Sequence, residues 1–246
     1  MKILVCISKT PDTTSKISFT DGNSKFNPDK VQFIINPYDE WYALVRAIEL
    51  KEQAGATVTV INVGGADCDA IIRKALAIGG DDAVRIDAEP DDAYFVAQQV
   101  SQYASAEQFD IILLGKETID YNGSQIGGMI AGLLDFPFIS LASKMELSGS
   151  TALLERDIAG GKEILTVQTP FVVSASKGMA EARIPNMRGI MAARTKVIKV
   201  MAPYPSEKLT SVSHYELPKE KGGPRMIAAD QAEELVALLH NEAKVI

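Results

Sequence analysis

The sequence predicts an α/β fold with a doubly wound, mostly parallel, Rossmann-like sheet, antiparallel edge strands and an extended C-terminal arm. Three observations lead to this prediction. Apolar runs alternate with amphipathic helical patterns over the first 140 residues, short β-type runs follow from residue 142, and Pro and Gly interrupt a polar tail after residue 200. Alternating strands and helices indicate a parallel sheet with right-handed crossovers. We therefore expect an α/β domain over residues 1–200 and an arm over residues 201–246 that packs on a partner.

Composition and charge exclude several classes of protein. The net charge of −7 and the absence of a Lys/Arg block argue against a nucleic-acid partner. We find no apolar run long enough to cross a membrane, so we expect a soluble, cytoplasmic protein. The cysteines and histidines do not form a metal-binding or nucleophilic pattern, so we expect no metal site and no catalytic residues. These residues are Cys6, Cys68, His214 and His240.

The first elements are indicated by local patterns. A continuous apolar run, Lys2–Ile7, predicts a buried central strand, and Asp21-Gly22 predicts a surface hairpin within Lys16–Phe26. Asn36 and Pro37 are the residue types that cap and begin a helix, and Asp39 and Glu40 would complement its positive end. The helix then carries an apolar stripe and ends at Gly55; the stripe is Trp41, Leu44, Val45 and Ile48.

The remaining elements repeat this alternation. Predicted strands are Thr57–Val63, Ala83–Ile86 and Asp110–Leu114, and predicted helices are Asp67–Ile78, Asp91–Ala104 and Gly123–Leu134. The later β-type runs could extend the sheet with antiparallel edge strands; they are Thr151–Arg156, Glu163–Gln168 and Phe171–Ala175. A last amphipathic helix, about residues 228–242, could pack on its own domain or on a partner.

A polar loop, Gly115–Gln125, is the strongest candidate for a ligand site. Ligands of open parallel sheets bind beyond the carboxyl ends of the strands, where the strand order reverses. The loop runs into a helix whose N-terminal N–H groups could hold a phosphate, which favours a mononucleotide. It is neither a Walker A motif nor GxGxxG, and simple tight turns remain an alternative. Three glycines in the helix indicate close packing on the sheet; they are Gly127, Gly128 and Gly132.

Several blocks of sequence resemble the beta subunit of electron-transfer flavoproteins over nearly the whole chain. The blocks are KILVCISKTPD from Lys2, INPYDEWYALVRAIELKE from Ile35, GKETIDYNGSQIGGMIAGLLDFP from Gly115, RDIAGGKEILTVQTPFVVSASKG from Arg156 and EARIPNMRGIMAARTK from Glu181. The resemblance implies a heterodimer in which the alpha subunit holds a redox-active FAD and this chain holds a structural AMP. The implied partners are flavin dehydrogenases as donors and a quinone oxidoreductase as acceptor.

The resemblance also implies roles for individual residues. The adenylate pocket would be formed by Cys6, Asn36, Pro37, Tyr38, Asp39, Val63, Gly115, Lys116, Asp120, Asn122, Gly123, Ser124, Gln125 and Ile126. The partner-docking segment would be Arg183–Arg194, with Met187 in the position of the family's anchoring Leu; the docking residues would be Arg183, Met187, Ile190, Met191 and Arg194. Arg156 and Asp157 would contact the flavin domain of the alpha subunit.

Three alternatives remain at this stage. Some family members bind a second FAD in place of AMP and bifurcate electrons from NADH, but these usually carry Gly-Pro where this chain has Gly127-Gly128. A nucleotide-binding module of the stress-protein type would use the same fold without a partner subunit. The segment Arg183–Arg194 could also be an ordinary surface helix.

Overall fold

The computed structural model describes residues 1–219 and 222–246, so residues 220 and 221 of the predicted arm lie outside the described part. The strands are β1 Lys2–Cys6, β2 Lys9–Pro11, β3 Phe19–Thr20, β4 Lys25–Phe26, β5 Phe33–Ile35, β6 Thr57–Val63, β7 Asp82–Ile86, β8 Ile111–Gly115, β9 Phe138–Ser148, β10 Thr151–Ile158, β11 Gly161–Gln168, β12 Phe171–Ala175 and β13 Ile198–Met201. The helices are α1 Asp39–Ala54, α2 Asp69–Ile78, α3 Ala93–Glu107, α4 Ile126–Leu134, α5 Met187–Thr195 and α6 Ala232–Leu238.

The main sheet has the strand order β11-β10-β9-β12-β8-β1-β6-β7-β13. The strands β8, β1, β6 and β7 are parallel, and the chain moves outward from β1 to β7 before it returns to the other side of β1 as β8. Buried side chains of α1, α2 and α5 form a core on one face of the sheet, and those of α3 and α4 form a core on the other face. The predicted doubly wound, mostly parallel fold is confirmed.

One edge of the sheet is partly as predicted. Strands β10 and β11 form an antiparallel hairpin at the edge, as expected. The prediction was wrong for β12, which is an interior strand, parallel to both β8 and β9 and buried at every residue. Four of its five residues are apolar, which suits a strand covered on both faces. The sequence analysis missed β9, which joins β12 to the hairpin, and β13, which pairs with β7 at the opposite edge.

The start of α1 differs from the prediction. The helix begins at Asp39, and Tyr38 occupies the cap position with a φ of 65°. Asn36 therefore does not cap the helix, and Pro37 is not its first residue. The physical reason is that the Asn36 amide is bound to the loop after β8, as described below. The predicted buried stripe is present, and Gly55 ends the helix in the left-handed conformation.

The start of α4 is also later than Gly123, because residues 122 and 124 both have positive φ and the helix begins at Ile126. The prediction of close packing is confirmed for Gly127, where a Cβ atom would lie 2.9 Å from the ring of Phe138. It is wrong for Gly132, because an added Cβ would meet nothing within 4 Å. At Gly128 the nearest atom would lie at the ordinary contact distance of 3.7 Å.

The C-terminal arm has two different parts. Its first part runs along the domain: Tyr204 exchanges hydrogen bonds with Gln99, and Thr210 donates two to Asp92. The ring of Tyr215 then stacks on Phe19 of the β3–β4 hairpin, with ring centroids 4.8 Å apart. The second part includes α6, which has no buried residue. A one-turn π-helix, Leu239–Ala243, extends α6 close to the end of the predicted range.

Candidate functional site: the crevice at the carboxyl ends of the central strands

The strand order reverses between β1 and β8, and their carboxyl ends are neighbours at one edge of the sheet. Three segments meet there: the residues after β1, the N-terminus of α1 and the loop that connects β8 to α4. Gly115 lets α1 approach this edge, because an added Cβ would lie 2.7 Å from Glu40 Cγ and 2.8 Å from Glu40 N. We call this place the crevice. It is where ligands of doubly wound folds bind.

Asn36 fastens the polar loop to the segment before α1. Its side chain is fully buried, its Nδ2 donates to the carbonyl oxygen of Glu117, and its Oδ1 accepts from the N–H of Ile119, both at 2.9 Å. The backbone N–H of Asn36 also donates to the carbonyl oxygen of Ser8. One side chain thus holds together two of the segments that border the crevice.

The polar loop has internal contacts that fix its course. Glu117 accepts a hydrogen bond from Ser124 at 2.9 Å and forms an ion pair with Lys116 at 3.2 Å. These bonds lower the pKa of the Glu117 carboxyl, and the bond to Glu117 raises the pKa of Lys116. Asn122 and Ser124 have φ values of 50° and 52°, an uncommon backbone conformation that this network supports. This hydrogen bond and this ion pair fix the conformation of the loop, although it is largely exposed.

The first turn of α4 presents N–H groups at the end of this loop. Gln125 is the cap residue, and no side chain forms a capping hydrogen bond there. The first N–H groups of a helix have no partner within the helix, and with the helix dipole they attract anions. The predicted residues Gly123, Ser124, Gln125 and Ile126 therefore lie where a phosphate could be held.

The other predicted residues border the crevice from β1 and β6. Cys6 is the last residue of β1 and is partly buried, and burial raises the pKa of its thiol well above the usual range. Val63 is buried at the end of β6. Beside it, Asn62 donates to the carbonyl oxygen of Ile7, while its buried Oδ1 has no hydrogen-bond partner in the described part of the chain. An unpaired buried acceptor is costly and is a candidate for a ligand contact.

Tyr38 and Asp39 begin α1 at the crevice. Tyr38 combines a positive φ with 60% exposure of its side chain, and such conformations in bulky residues are concentrated at functional sites. Burial raises the pKa of the Asp39 carboxyl, the nearby charge of Lys116 lowers it, and that of Glu117 raises it again. Acidic groups therefore outnumber basic ones at this end of the helix.

Sequence reasoning missed Glu40 and Ser8. Glu40 is only 5% exposed, and its carboxyl oxygens lie 2.6 Å from the N–H and 2.8 Å from the hydroxyl of Ser8. The prediction placed Glu40 at the positive helix end, with no role inside the protein. Its spacing from Ala43, Leu44 and Ala47 puts it on the buried face, and this periodicity was the available signal.

The predicted docking segment forms α5 and the turn before it. Met187 and Met191 are 73% and 56% exposed, whereas Ile190 packs against the core next to α2. Arg183 does not project freely, because it binds Glu52 of α1 through two hydrogen bonds of 2.7 and 3.1 Å. Arg194 is exposed. This segment packs against α2 and contacts the C-terminal end of α1, away from the crevice.

A cleft of about 340 Å³ separates α5 from α2, and its lining includes Arg73, Lys74, Ala77, Pro185, Ile190 and Arg194. Arg73 crosses the end of this cleft and donates to the carbonyl oxygens of Ala193, at 2.7 Å, and Lys196. The two helices are in close contact at Gly189, where a Cβ would collide with the carbonyl of Ala77. The surface therefore combines exposed Met side chains with a basic cleft.

Arg156 and Asp157 lie on β10, at the same edge of the sheet as the crevice. Arg156 pairs with Ala142 of β9, Ala142 pairs with Ala175 of β12, and Ala175 pairs with Gly115 of β8. Arg156 therefore lies three strand spacings, or roughly 14 Å, from Gly115. Arg156 is bound to Glu163 at 2.5 Å and to Ser140 at 3.0 Å. Asp157 is exposed and forms no ion pair among the described residues.

Among the described residues, no helix combines the length and the apolar character that crossing a membrane requires. The same residues contain no group of three or more His, Cys, Asp or Glu side chains arranged to hold a metal ion.

The fold and the crevice define a doubly wound α/β protein of the class that binds ligands at the carboxyl ends of its strands. Comparison with known proteins narrows this class. A family model described as "Electron transfer flavoprotein domain" matches residues 25–206. The chain therefore belongs to the electron transfer flavoprotein family, and its relatives are beta subunits of that family.

Three relatives illustrate the similarity, and each bears the name electron transfer flavoprotein subunit beta. The protein of Bacillus subtilis is 38% identical, with all of both chains covered. That of Syntrophomonas wolfei is 34% identical over 90% of this chain and 87% of its own. The human protein is 32% identical over all of this chain and 99% of its own. The resemblance inferred from the sequence blocks is confirmed.

Proposed function

We propose that this chain is the nucleotide-holding subunit of a heterodimeric electron carrier. It binds AMP in the crevice and pairs with an alpha subunit that carries FAD. Electrons pass from flavin dehydrogenases through that FAD to a quinone oxidoreductase or another acceptor. The chain acts in the cytoplasm and contributes no catalytic residue. The observation that carries the proposal is the crevice, in a chain of the electron transfer flavoprotein family.

The residues at the crevice fit an adenine mononucleotide. The uncapped first turn of α4 suits a phosphate, and the loop residues Asn122–Gln125 supply further polar groups beside it. The unpaired Oδ1 of Asn62 suits a hydroxyl or amino donor of the ligand. Asn36 contributes indirectly, because its side chain holds the loop in position. AMP has no chemical step to perform, so these residues bind and orient only.

The chain's contribution to electron transfer is positional. A flavin on the partner supplies the redox chemistry, and the protein supplies binding and orientation. Arg156 and Asp157 are proposed to contact the flavin-bearing domain from the edge of the sheet. Because Arg156 is already bound to Glu163 and Ser140, Asp157 is the freer of the two for this contact.

The decisive experiment is to coexpress the chain with its alpha subunit, purify the complex, denature it and count the released FAD and AMP. One FAD and one AMP per heterodimer is the expected result. Asn36→Ala should lose most of the AMP, because the loop is no longer fastened to the α1 segment. Asn27→Ala also removes two hydrogen bonds, one donated to Ser18 and one accepted from the N–H of Asp29, but both lie outside the crevice, so this variant should retain the AMP.

The same count separates the alternatives. Two FAD and no AMP would assign the chain to the electron-bifurcating type. A chain that binds a nucleotide but forms no stable complex with an alpha subunit would instead be a stand-alone nucleotide-binding module. Absence of both nucleotide and flavin would contradict the proposal.

Docking of the dehydrogenase is proposed to use α5 and the basic cleft beside it. No Asp or Glu occurs between residues 182 and 206, although the whole chain carries a net charge of −7. Of the basic residues in this stretch, Arg183 and Lys199 are paired with Glu52 and Glu107, whereas Arg188, Arg194 and Lys196 form no ion pair among the described residues. Charge complementarity therefore favours an acidic surface on the partner, and the exposed Met side chains can adapt to an apolar pocket.

This docking proposal is tested by electron-transfer rates from a reduced flavin dehydrogenase. Met187→Ala should lower the rate at limiting carrier concentration by about tenfold, as expected for loss of an interface anchor. Met226→Ala removes another exposed methionine, which lies on the arm, and serves as the control. Equal rates for both variants would contradict a docking role for Met187.

A further inference from the structure

Glu40 is a buried carboxyl group without a basic partner. Both of its oxygens face Ser8, and no Lys or Arg of the described chain lies within ion-pair distance of it. A carboxylate in such a place loses its hydration without gaining a counter-ion, which disfavours the charged form. Burial accordingly raises the pKa of Glu40 to about 8; the bonds from Ser8 oppose the shift, and the charges of Asp120 and Asp39 add to it.

The neutral form of Glu40 fits its surroundings. A protonated carboxyl can donate its O–H to the hydroxyl oxygen of Ser8 and accept the N–H of Ser8 at its other oxygen. Both observed contacts are then ordinary hydrogen bonds, and no charge is buried. The same bonds join the end of β1 to the first turn of α1, which are two borders of the crevice.

The groups that surround Glu40 leave little positive charge for an incoming phosphate. From β1 it faces Cys6, whose thiol stays neutral because burial raises its pKa. From α1 and the polar loop it is near Asp39 and Asp120. The nearest basic group of that loop, Lys116, is already bound to Glu117. A further negative charge, on Glu40, would therefore oppose the binding of an anion.

We infer that Glu40 is a positioning residue that must be protonated when the crevice holds a nucleotide, so that nucleotide binding takes up a proton. This inference rests on the proposed function, because it assumes that the crevice binds AMP. Glu40 acts through Ser8 and the α1 start and does not itself touch the ligand. Below pH 7 Glu40 already carries its proton, and affinity should not depend on it. Above pH 8 Glu40 must take up a proton from solution when the nucleotide binds, so the affinity for AMP should fall.

The test is calorimetric titration of AMP into the full chain freed of bound nucleotide, between pH 7 and 9.5. The phosphate of AMP is already a dianion in this range, since its second pKa is about 6. The wild type should lose affinity by up to about tenfold per pH unit above pH 8. Buffers with different ionisation enthalpies should reveal the uptake of a proton.

Glu40→Gln is the decisive variant, because its neutral amide reproduces the hydrogen bonds of the protonated acid. It should bind AMP at pH 9 as tightly as the wild type does at pH 7, with no proton uptake. Glu49→Gln neutralises another carboxyl of α1, which binds Arg46 away from the crevice, and should retain the wild-type pH profile. A thermal melt checks that both variants are folded.

Two results would overturn the inference: a wild type whose AMP affinity does not change with pH, or a Glu40→Gln variant that retains the wild-type slope. A wild type that binds no AMP at any pH would instead overturn the proposed nucleotide site. The two failures are therefore distinguishable.

Discussion

The central strands and the C-terminal arm contain similar apolar residues but bury them to opposite extents. Every residue of β8 and β12 is buried, whereas no residue of α6 is buried. Strands β8 and β12 lie between two layers of helices, so their side chains are covered on both faces. The arm contacts the domain as far as Tyr215, and beyond it Leu217 and Val236 are more than half exposed. Burial is decided by the available neighbours and not by residue type.

The largest expected effect is in the centre of the sheet. Leu113→Ala leaves a cavity at a fully buried position of β8 and should lower the free energy of unfolding by about 2–5 kcal/mol. Leu217→Ala removes the same atoms from a side chain that is 59% exposed. In the isolated chain it should therefore change the free energy of unfolding by less than about 0.5 kcal/mol. Urea unfolding measures both. Similar losses would show that the arm is packed in solution.

The next effect concerns the crevice. Gly115→Ala would place a Cβ 2.7 Å from Glu40 Cγ and should lower the free energy of unfolding by about 1–3 kcal/mol. Gly132→Ala meets nothing within 4 Å and should raise it by up to about 1 kcal/mol, because Ala favours the helix. Thermal melts of the two variants should therefore shift in opposite directions. If Gly115→Ala left the free energy of unfolding unchanged, α1 would be shown to move away from β8.

A smaller effect is expected where the arm meets the domain. Asp92 caps α3 by accepting from the N–H of Phe95 at 2.6 Å, and it also accepts two hydrogen bonds from Thr210. Asp92→Ala should lower the free energy of unfolding by about 1–2 kcal/mol. It should also speed hydrogen exchange in residues 204–215. Asp91→Ala loses only a surface ion pair with Lys208 and is the control.

The pH dependence of this contact follows from the pKa of Asp92. Burial alone would raise that pKa, but the hydrogen bonds from Thr210 and Phe95 prevail and lower it below 3.8. A lowered pKa in the folded state stabilises the protein above the usual value, and this contribution is lost as the pH falls through the folded value. Asp92→Ala should therefore reduce the difference in stability between pH 6 and pH 3.

The smallest effect in the isolated chain concerns α6. Val236→Ser changes a side chain that is already 56% exposed, so the melting temperature should stay within about 2 °C. If the arm packs on the alpha subunit, the same variant should weaken the heterodimer measurably. Ala237→Ser is the control, because Ala237 lies off the apolar stripe of this helix, which is Ala232, Leu235, Val236 and Leu239. Identical dimer affinities would leave α6 outside the interface.

Much of the first half of the fold could be predicted from the sequence. The run Lys2–Ile7 and the stripe of α1 are each determined by local periodicity, which tertiary contacts reinforce here. The strand β9 was missed because polar residues such as Ser143, Lys144 and Glu146 interrupt its pattern. The interior place of β12 was missed because neighbours in sequence need not be neighbours in a sheet.

The crevice, like the fold, could be predicted from the sequence only in part. The polar loop could be identified by its length and composition, since a long loop before a helix is unusual in a compact domain. The hydrogen-bond partners of Asn36 and Glu40 could not be predicted, because both residue types are common at helix starts, where they were placed. Only the folded chain shows that the Asn36 amide binds a loop more than eighty residues away.

The sequence by itself determined the fold class, the position of the polar loop and the family, because these depend on local periodicity and on runs of consecutive residues. The tertiary structure alone decided the strand order at β12, the burial of Glu40 against Ser8 and the exposure of α6. Each of these depends on which distant segments meet. Local pattern encodes what a segment can form, and packing decides what it touches.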